Sequence, residues 1–315
     1  MNTPHNRSRR LFLQAMALGI AGAATTGKVF ASTAPLLTKA IPSSNERIPV
    51  IGLGSSRTFN VGNDPRGLDN VADVMRHFFE AGGTLIDSSP MYGSSQLAIG
   101  YGLKKLGLNK QDMQDKVFSA DKVWTIGMKD GVEQMEQSRR YWNVASFDLM
   151  QIHNLVDWQE HIETLHDMKQ QRQIRYVGIT TSHGRQHDEL AEILKTQQLD
   201  FVQFSYNVLD RQVEKRLLPI AIERGIAVIV NRPFQRGDLI DNLEGKPLPD
   251  WANEIQCDNW PQLLLKFIVS HPGVSCAIPA TTQVEHVKEN MAACYGRLPD
   301  QAMRQRIIDH VENII

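Results

Sequence analysis

Leu85-Ile86-Asp87-Ser88-Ser89-Pro90-Met91-Tyr92-Gly93 is the stretch whose reading decides the fold. A short apolar run stops at a carboxylate, and a tyrosine follows five positions later, just before a glycine. Two further runs share this form: Val117-Phe118-Ser119-Ala120-Asp121-Lys122 and Leu149-Met150-Gln151-Ile152-His153. Asp87, Tyr92, Lys122 and His153 thus stand at or just past the C-terminal ends of candidate buried strands. In a parallel β/α barrel those ends converge on one face, where catalytic groups collect.

The rest of the chain repeats the unit. Candidate strands are Val50–Leu53, Thr84–Ile86, Val117–Ala120, Leu149–Ile152, Tyr176–Ile179, Phe201–Phe204, Ala227–Val230 and Ser275–Ile278. Amphipathic stretches lie between them: Gly67–Ala81, Leu97–Leu106, Val132–Tyr141, Leu165–Gln171, Leu190–Thr196, Val213–Arg224, Trp260–Ser270 and Val284–Ala293. Continuous apolar runs rather than alternating ones mark strands covered on both faces. Eight βα units in about 250 residues predict an α/β fold, a (β/α)8 TIM barrel, over residues 45–315. A doubly wound open sheet is the competing fold. It calls for a Gly-x-Gly-x-x-Gly turn, and Gly52-Leu53-Gly54-Ser55-Ser56-Arg57 lacks the third glycine. The stretch Gln235–Trp251 reads as a long loop over the active face, a candidate lid. The residues after Pro299 read as a terminal helix closing one end of the barrel.

Ahead of the barrel, Ser8-Arg9-Arg10-Leu11-Phe12-Leu13-Gln14 leads into an Ala/Gly-rich apolar stretch and then small residues near Val29-Phe30-Ala31. Basic, apolar and small segments in that order describe a cleaved export signal over residues 1–34. The paired arginines resemble the twin-arginine signal of bacteria, which implies the Tat machinery as a partner and a periplasmic location. Gln14 and the glycines make the run too weak for a stable membrane anchor.

The 315 residues are 42% hydrophobic and 22% charged, with a net charge of −1, so neither nucleic acid nor an acidic partner is indicated. Cys257, Cys276 and Cys294 show no metal spacing, and no metal site is expected. They read as buried, small apolar groups.

The four strand-end residues suggest proton delivery. A free phenol has a pKa near 10. An ammonium beside it lowers that value, and a carboxylate keeps the ammonium charged. Asp87 against Lys122, and Lys122 against Tyr92, would form such a relay, with His153 holding a substrate oxygen. The set suits protonating a carbonyl oxygen while a second agent gives hydride. Singly, Asp87 could be a helix cap and His153 a satisfied core group.

The chain resembles the aldo-keto reductases from about Ile51 to Asn290. The resemblance rests on Gly52-Leu53-Gly54, Ile86-Asp87-Ser88-Ser89-x-x-Tyr92-Gly93, Lys122, Ile152-His153-Asn154, Gln203-x-x-Tyr206-Asn207 and Ile278-Pro279…Glu289-Asn290. It implies reduction of an aldehyde or ketone by NAD(P)H, or the reverse, with NADP as cofactor and NAD also open. Tyr92 becomes the general acid/base, Lys122 and Asp87 its tuning pair, and His153 the carbonyl orienter. Gln203 matches the partner of the nicotinamide carboxamide, and Tyr206 the ring that stacks on nicotinamide. Thr180 and Thr181 stand at a Ser-Asn pair, the second without its amide. Asn231-Arg232-Pro233-Phe234 puts an arginine where the pyrophosphate is expected, either as an anion contact or as a solvated surface group. Thr281, Thr282, His286, Glu289 and Asn290 complete the cofactor set, with Ala280 and His286 at positions often basic in the family. Trp124 lies at the spacing of a pocket-lining tryptophan, or simply packs in the barrel. A non-catalytic barrel that senses nucleotide is the alternative class, against which the intact tetrad argues.

Overall fold

The computed structural model describes residues 35–108 and 116–315; the proposed export signal lies outside them. The chain opens with an antiparallel hairpin, β1 (Thr38–Ala40) and β2 (Arg47–Pro49), paired Thr38 to Pro49. Eight parallel strands follow: β3 (Leu53–Gly54), β4 (Leu85–Asp87), β5 (Phe118–Val123), β6 (Phe147–Ile152), β7 (Ile174–Thr180), β8 (Phe201–Ser205), β9 (Ala227–Asn231) and β10 (Cys276–Ala277). Each pairs with its neighbour in sequence order. Closure falls between the first and last. Ile51 and Gly54 bridge to Ala277 and Ala280, and the Gly52 amide donates to the Ala277 carbonyl at 2.8 Å. The predicted (β/α)8 barrel is the fold, and the open sheet is excluded.

The helices are α1 (Pro65–Glu80), α2 (Ser95–Lys105), α3 (Met128–Trp142), α4 (Trp158–Gln170), α5 (His187–Thr196), α6 (Leu217–Arg224), the short α7 (Asp238–Asp241), α8 (Trp260–Ser270), α9 (Val284–Ala292) and α10 (Gln301–Ile314). Local chemistry sets several boundaries. Asp64 accepts from the Gly67 amide at 2.9 Å, with Pro65 in the first turn of α1. Asn259 accepts from the Gln262 amide at 3.0 Å at the start of α8. Gly225 ends α6 at φ +64°, a left-handed conformation that favours glycine.

Side-chain alternation sorts the strands into layers. Leu85, Phe118, Ala120, Leu149, Tyr176, Phe201, Ala227, Ile229, Cys276 and Ile278 cluster inside the barrel, while a larger apolar shell lies between strands and helices. All three cysteines are free and buried. Ile41 and Ile48 of the hairpin join the inner cluster, and Tyr176 donates to Glu46 at 2.5 Å while its oxygen lies 2.8 Å from the Ser44 hydroxyl. The hairpin therefore seals the N-terminal end. The role expected for α10 is thus filled by another element. That helix packs instead on the barrel's flank, where Arg304 donates to Ser270 at 2.7 Å and pairs with Glu214 at 2.8 Å.

The Gln235–Trp251 segment also departs from a free lid. It forms a 3-10 turn over Gln235–Gly237 and α7, and Leu239 and Leu243 are buried. Lys246 donates to the Ile314 carbonyl and Trp251 stacks edge-on against His310. Its first residues meet the strand-end loops, Gln235 at Asn207 and Arg236 at His183, while Lys246 and Trp251 hold the remainder to α10.

Candidate active site

Continuing each inner row toward the C-terminal ends exchanges apolar for polar side chains. Leu85 gives way to Asp87, Ala120 to Lys122, Leu149 to Gln151, Tyr176 and Gly178 to Thr180, Phe201 to Gln203 and Ser205, and Ile229 to Asn231. Register aligns the polar positions: Lys122 pairs with Gln151, Thr180 with Gln203, and Ser205 with Asn231. Gly178 matters to this layer. A Cβ there would meet Gln151 Cγ at 2.9 Å, so the missing side chain is what admits the glutamine.

Lys122 is fully buried, its Nζ 2.6 Å from Asp87 Oδ1 and 2.7 Å from the Ser88 carbonyl oxygen. Gln151 and Gln203 donate to the other oxygen, Asp87 Oδ2, at 3.1 and 3.0 Å. The carboxylate is therefore saturated and the lysine held. Burial alone would push the ammonium down, but Asp87, Tyr92 and the hydrogen bond to Asp87 outweigh it and raise it. The Nζ lies 5.3 Å from the centre of the Tyr92 ring. A Ser89-capped 3-10 turn, Pro90–Tyr92, presents that ring.

The expected lowering of the phenol is not what the fold produces. Tyr92 is partly exposed as a residue, yet its titrating end lies deep, and burial raises it more than Lys122 lowers it. The phenol stays protonated at neutral pH. His153 meets Tyr92 edge-on with ring centres 5.6 Å apart. Its Nδ1 is 2.7 Å from Ser89 Oγ, which also accepts from the Met91 amide at 3.1 Å. Burial, reinforced by the Lys122 charge, lowers His153 to about 2, so the ring is neutral. In the tautomer in which the Ser89 hydroxyl donates to Nδ1, the ring proton sits on Nε2, free to donate to a ligand.

Trp124 is 40% exposed, its ring centre 6.5 Å from that of His153. Gln134 clamps its backbone at both N and O, at 2.6 and 3.0 Å. It belongs to the rim rather than the barrel core.

The expected cofactor residues divide. Thr180 accepts from the Asn154 amide at 3.1 Å, and Thr181 Oγ1 is buried with no partner. Gln203 binds Asp87 and accepts from Asn231 at 3.3 Å. Arg232 (φ +51°) and Phe234 are partly buried, and Pro233 is buried. Burial and then Arg236, with Arg57 adding to it, push the Arg232 guanidinium down to about 10. Thr281 is buried and shares a 3.3 Å contact with His286, while the Thr282 carbonyl accepts from Asn70. Glu289 and buried Asn290 follow on α9. Tyr206 is the exception. It is wholly buried, donates to Glu214, accepts from Arg304 at 2.6 Å and packs on Phe267. Strand alternation sends Gln203 and Ser205 inward and Tyr206 outward, so this ring has no face to offer a ligand.

Gln151, Ser89 and Asn231 are site members to which the sequence assigned no role of their own. Gln151 had a signal, a lone amide inside an apolar strand run. Asn231 had the same strand-end position as His153.

A closed barrel whose mouth combines a buried Lys–Asp pair, a protonated phenol and a neutral imidazole is built to deliver a proton to a bound oxygen. The Aldo/keto reductase family profile matches residues 50–311, and the chain belongs to that family. It is an NAD(P)-dependent oxidoreductase that interconverts a carbonyl and an alcohol. Among its relatives, the NADH-specific methylglyoxal reductase of Escherichia coli strain K12 is 24% identical over 279 residues, covering 72% of this chain and 83% of that protein. An aldo-keto reductase of Klebsiella pneumoniae in complex with NADPH has the same fold at a TM-score of 0.72 and 23% identity, covering 88% of this chain and 95% of that one. The holo form of a Bacillus halodurans aldo-keto reductase superposes at 0.69 with 22% identity, covering 88% and 96%.

Proposed function

We propose that Tyr92 is the proton donor in the reduction of a small aldehyde or ketone and the acceptor in the reverse reaction. The observation that carries this is the Lys122 ammonium, fully buried 2.6 Å from Asp87 and 5.3 Å from the Tyr92 ring centre. His153 Nε2 holds the substrate oxygen beside the phenol, and the phenol protonates that oxygen as charge develops on it. Lys122 stabilises the resulting phenolate, and Asp87, fixed by Gln151 and Gln203, keeps the lysine charged. Trp124 forms one wall for the substrate. The methylglyoxal named for the Escherichia coli relative makes small dicarbonyls sensible first substrates.

Bound nicotinamide dinucleotide supplies the hydride. The residues suit such a group: Thr181 Oγ1 is buried and unpartnered, and Arg232 lies beside Arg57 and Arg236 without a carboxylate partner among the described residues. Thr180, Thr181, Gln203 and Asn231 would hold the nicotinamide end, with Arg232, Pro233 and Phe234 at the diphosphate. Thr281, Thr282, His286, Glu289 and Asn290 would hold the adenosine end. NADP is the cofactor we favour from the family, and NAD is retained because Ala280 and His286 stand where a lysine or arginine would meet a 2′-phosphate. Nothing in the site favours a non-catalytic sensor. Tyr92→Phe tests the reading: turnover should fall by about 100-fold or more with cofactor affinity retained. Turnover like the unaltered protein's would remove Tyr92 from the role.

We further propose that Arg9-Arg10 and the apolar stretch after them direct export through the Tat machinery to the periplasm. A protein loaded with NADP before export could then pass hydride between two substrates without releasing it. Replacing both arginines by lysine should leave the protein in the cytoplasm; unchanged fractionation would refute the export reading.

A further inference from the structure

Lys122 points into the barrel, so the residue before it on β5 points out, into the layer of α2 and α3. That residue is Asp121, a fully buried carboxylate. Its Oδ1 accepts from the Lys122 amide at 2.8 Å and its Oδ2 from Gln96 Nε2 of α2, also at 2.8 Å. The same Gln96 nitrogen donates to Ser138 Oγ of α3 at 2.8 Å. Ser138 in turn donates to the Gln134 carbonyl at 3.0 Å, and Gln134 clamps Trp124. Among the described residues, neither helix gives Asp121 a cation. Its charged neighbours are Lys122 on its own strand and Asp87 on β4, and its field reaches Tyr92.

We propose that Asp121 is a positioning residue that tunes the proton donor from behind: its ionisation offsets part of the Lys122 charge felt by Tyr92 and makes the phenol a weaker acid. The inference rests on Tyr92 being the donor. Burial raises Asp121 to about 7 against the stabilising pull of Lys122 and Gln96, so the change falls in the neutral range. Protonated Asp121 leaves the full Lys122 field on the phenol, and carbonyl reduction is fast. Ionised Asp121 raises Tyr92, and reduction slows.

The rate of carbonyl reduction under saturating cofactor should therefore step down by about 3- to 10-fold as pH rises through about 7, the size expected of one partly screened buried charge. Asp121→Asn should abolish that step, leaving reduction at pH 8.5 faster than in the unaltered protein. Gln96→Leu, which removes a donor to the carboxylate, should move the step to higher pH, and provides the test if Asp121→Asn does not fold. Absence of any step between pH 6 and 8 in the unaltered protein would overturn the proposal, as would an unchanged profile in Asp121→Asn. Normal turnover by Tyr92→Phe would instead overturn the donor assignment, so the two failures are separable.

Discussion

Tyr92 has to give up a proton from a position where burial opposes its ionisation, and the Lys122–Asp87 pair is what makes that tolerable. Lys122→Met should therefore cost turnover about 100-fold or more. It should also destabilise the fold by about 3–5 kcal/mol, because Asp87 would be left buried without its cation. Turnover and urea unfolding of the same variant check both, and a stable, active variant would mean the pair is dispensable. Arg232→Ala should weaken cofactor binding, most clearly at low salt, since a guanidinium crowded by Arg236 and Arg57 gains most from a bound anion. Titration of the cofactor at two salt concentrations reads this directly. Asp87, Lys122 and His153 were legible because each interrupts an apolar run at its end. Gln151 stands out as a lone amide between Met150 and Ile152, but nothing local says which face that amide takes.

Elements place these residues through strand alternation and register. Gly178→Val would force a side chain against Gln151 and should cost about 1–3 kcal/mol by overpacking. The displaced amide would also release Asp87, so turnover should fall with stability. Asn259→Ala removes the cap of α8, whose hydrogen bond is to the Gln262 amide and not to a relay residue, and should cost about 1 kcal/mol with activity intact. Thermal unfolding and kinetics of the two variants separate packing at the site from packing elsewhere. The β1–β2 hairpin was invisible in the sequence reading because its strands have only three residues each, too short for periodicity to register. Tyr206 shows the opposite failure. Motif spacing placed it with Gln203, yet three positions along a strand reverses the face, and Arg304 and Glu214 receive it in the outer layer.

For the whole molecule, several histidines titrate below their ordinary range because burial favours the neutral ring: His153, His187 and His271, with the more exposed His183 shifted the same way. A depressed group contributes stability that is present above its unfolded value and is lost as pH falls toward its folded value. The unfolded chain takes up these protons below about pH 6.5. Asp121 and Asp148, raised by burial, act in the opposite sense between their unfolded value near 4 and their folded values. Asp121→Asn removes one opposing contribution, so the unfolding midpoint of that variant should fall more steeply between pH 7 and pH 5 than that of the unaltered protein; an equal slope would contradict this. The amino-acid sequence by itself determined the repeating βα unit, because burial on both faces writes each strand as an apolar run, and it determined three of the four relay residues as polar stops at strand ends. Tyr92 followed from its motif. Only the tertiary structure decided which side chains enter the mouth, that the hairpin rather than α10 seals the barrel, and that burial outweighs Lys122 in setting the phenol. Those outcomes depend on closure bringing strands together from distant parts of the chain, and on the desolvation that closure imposes.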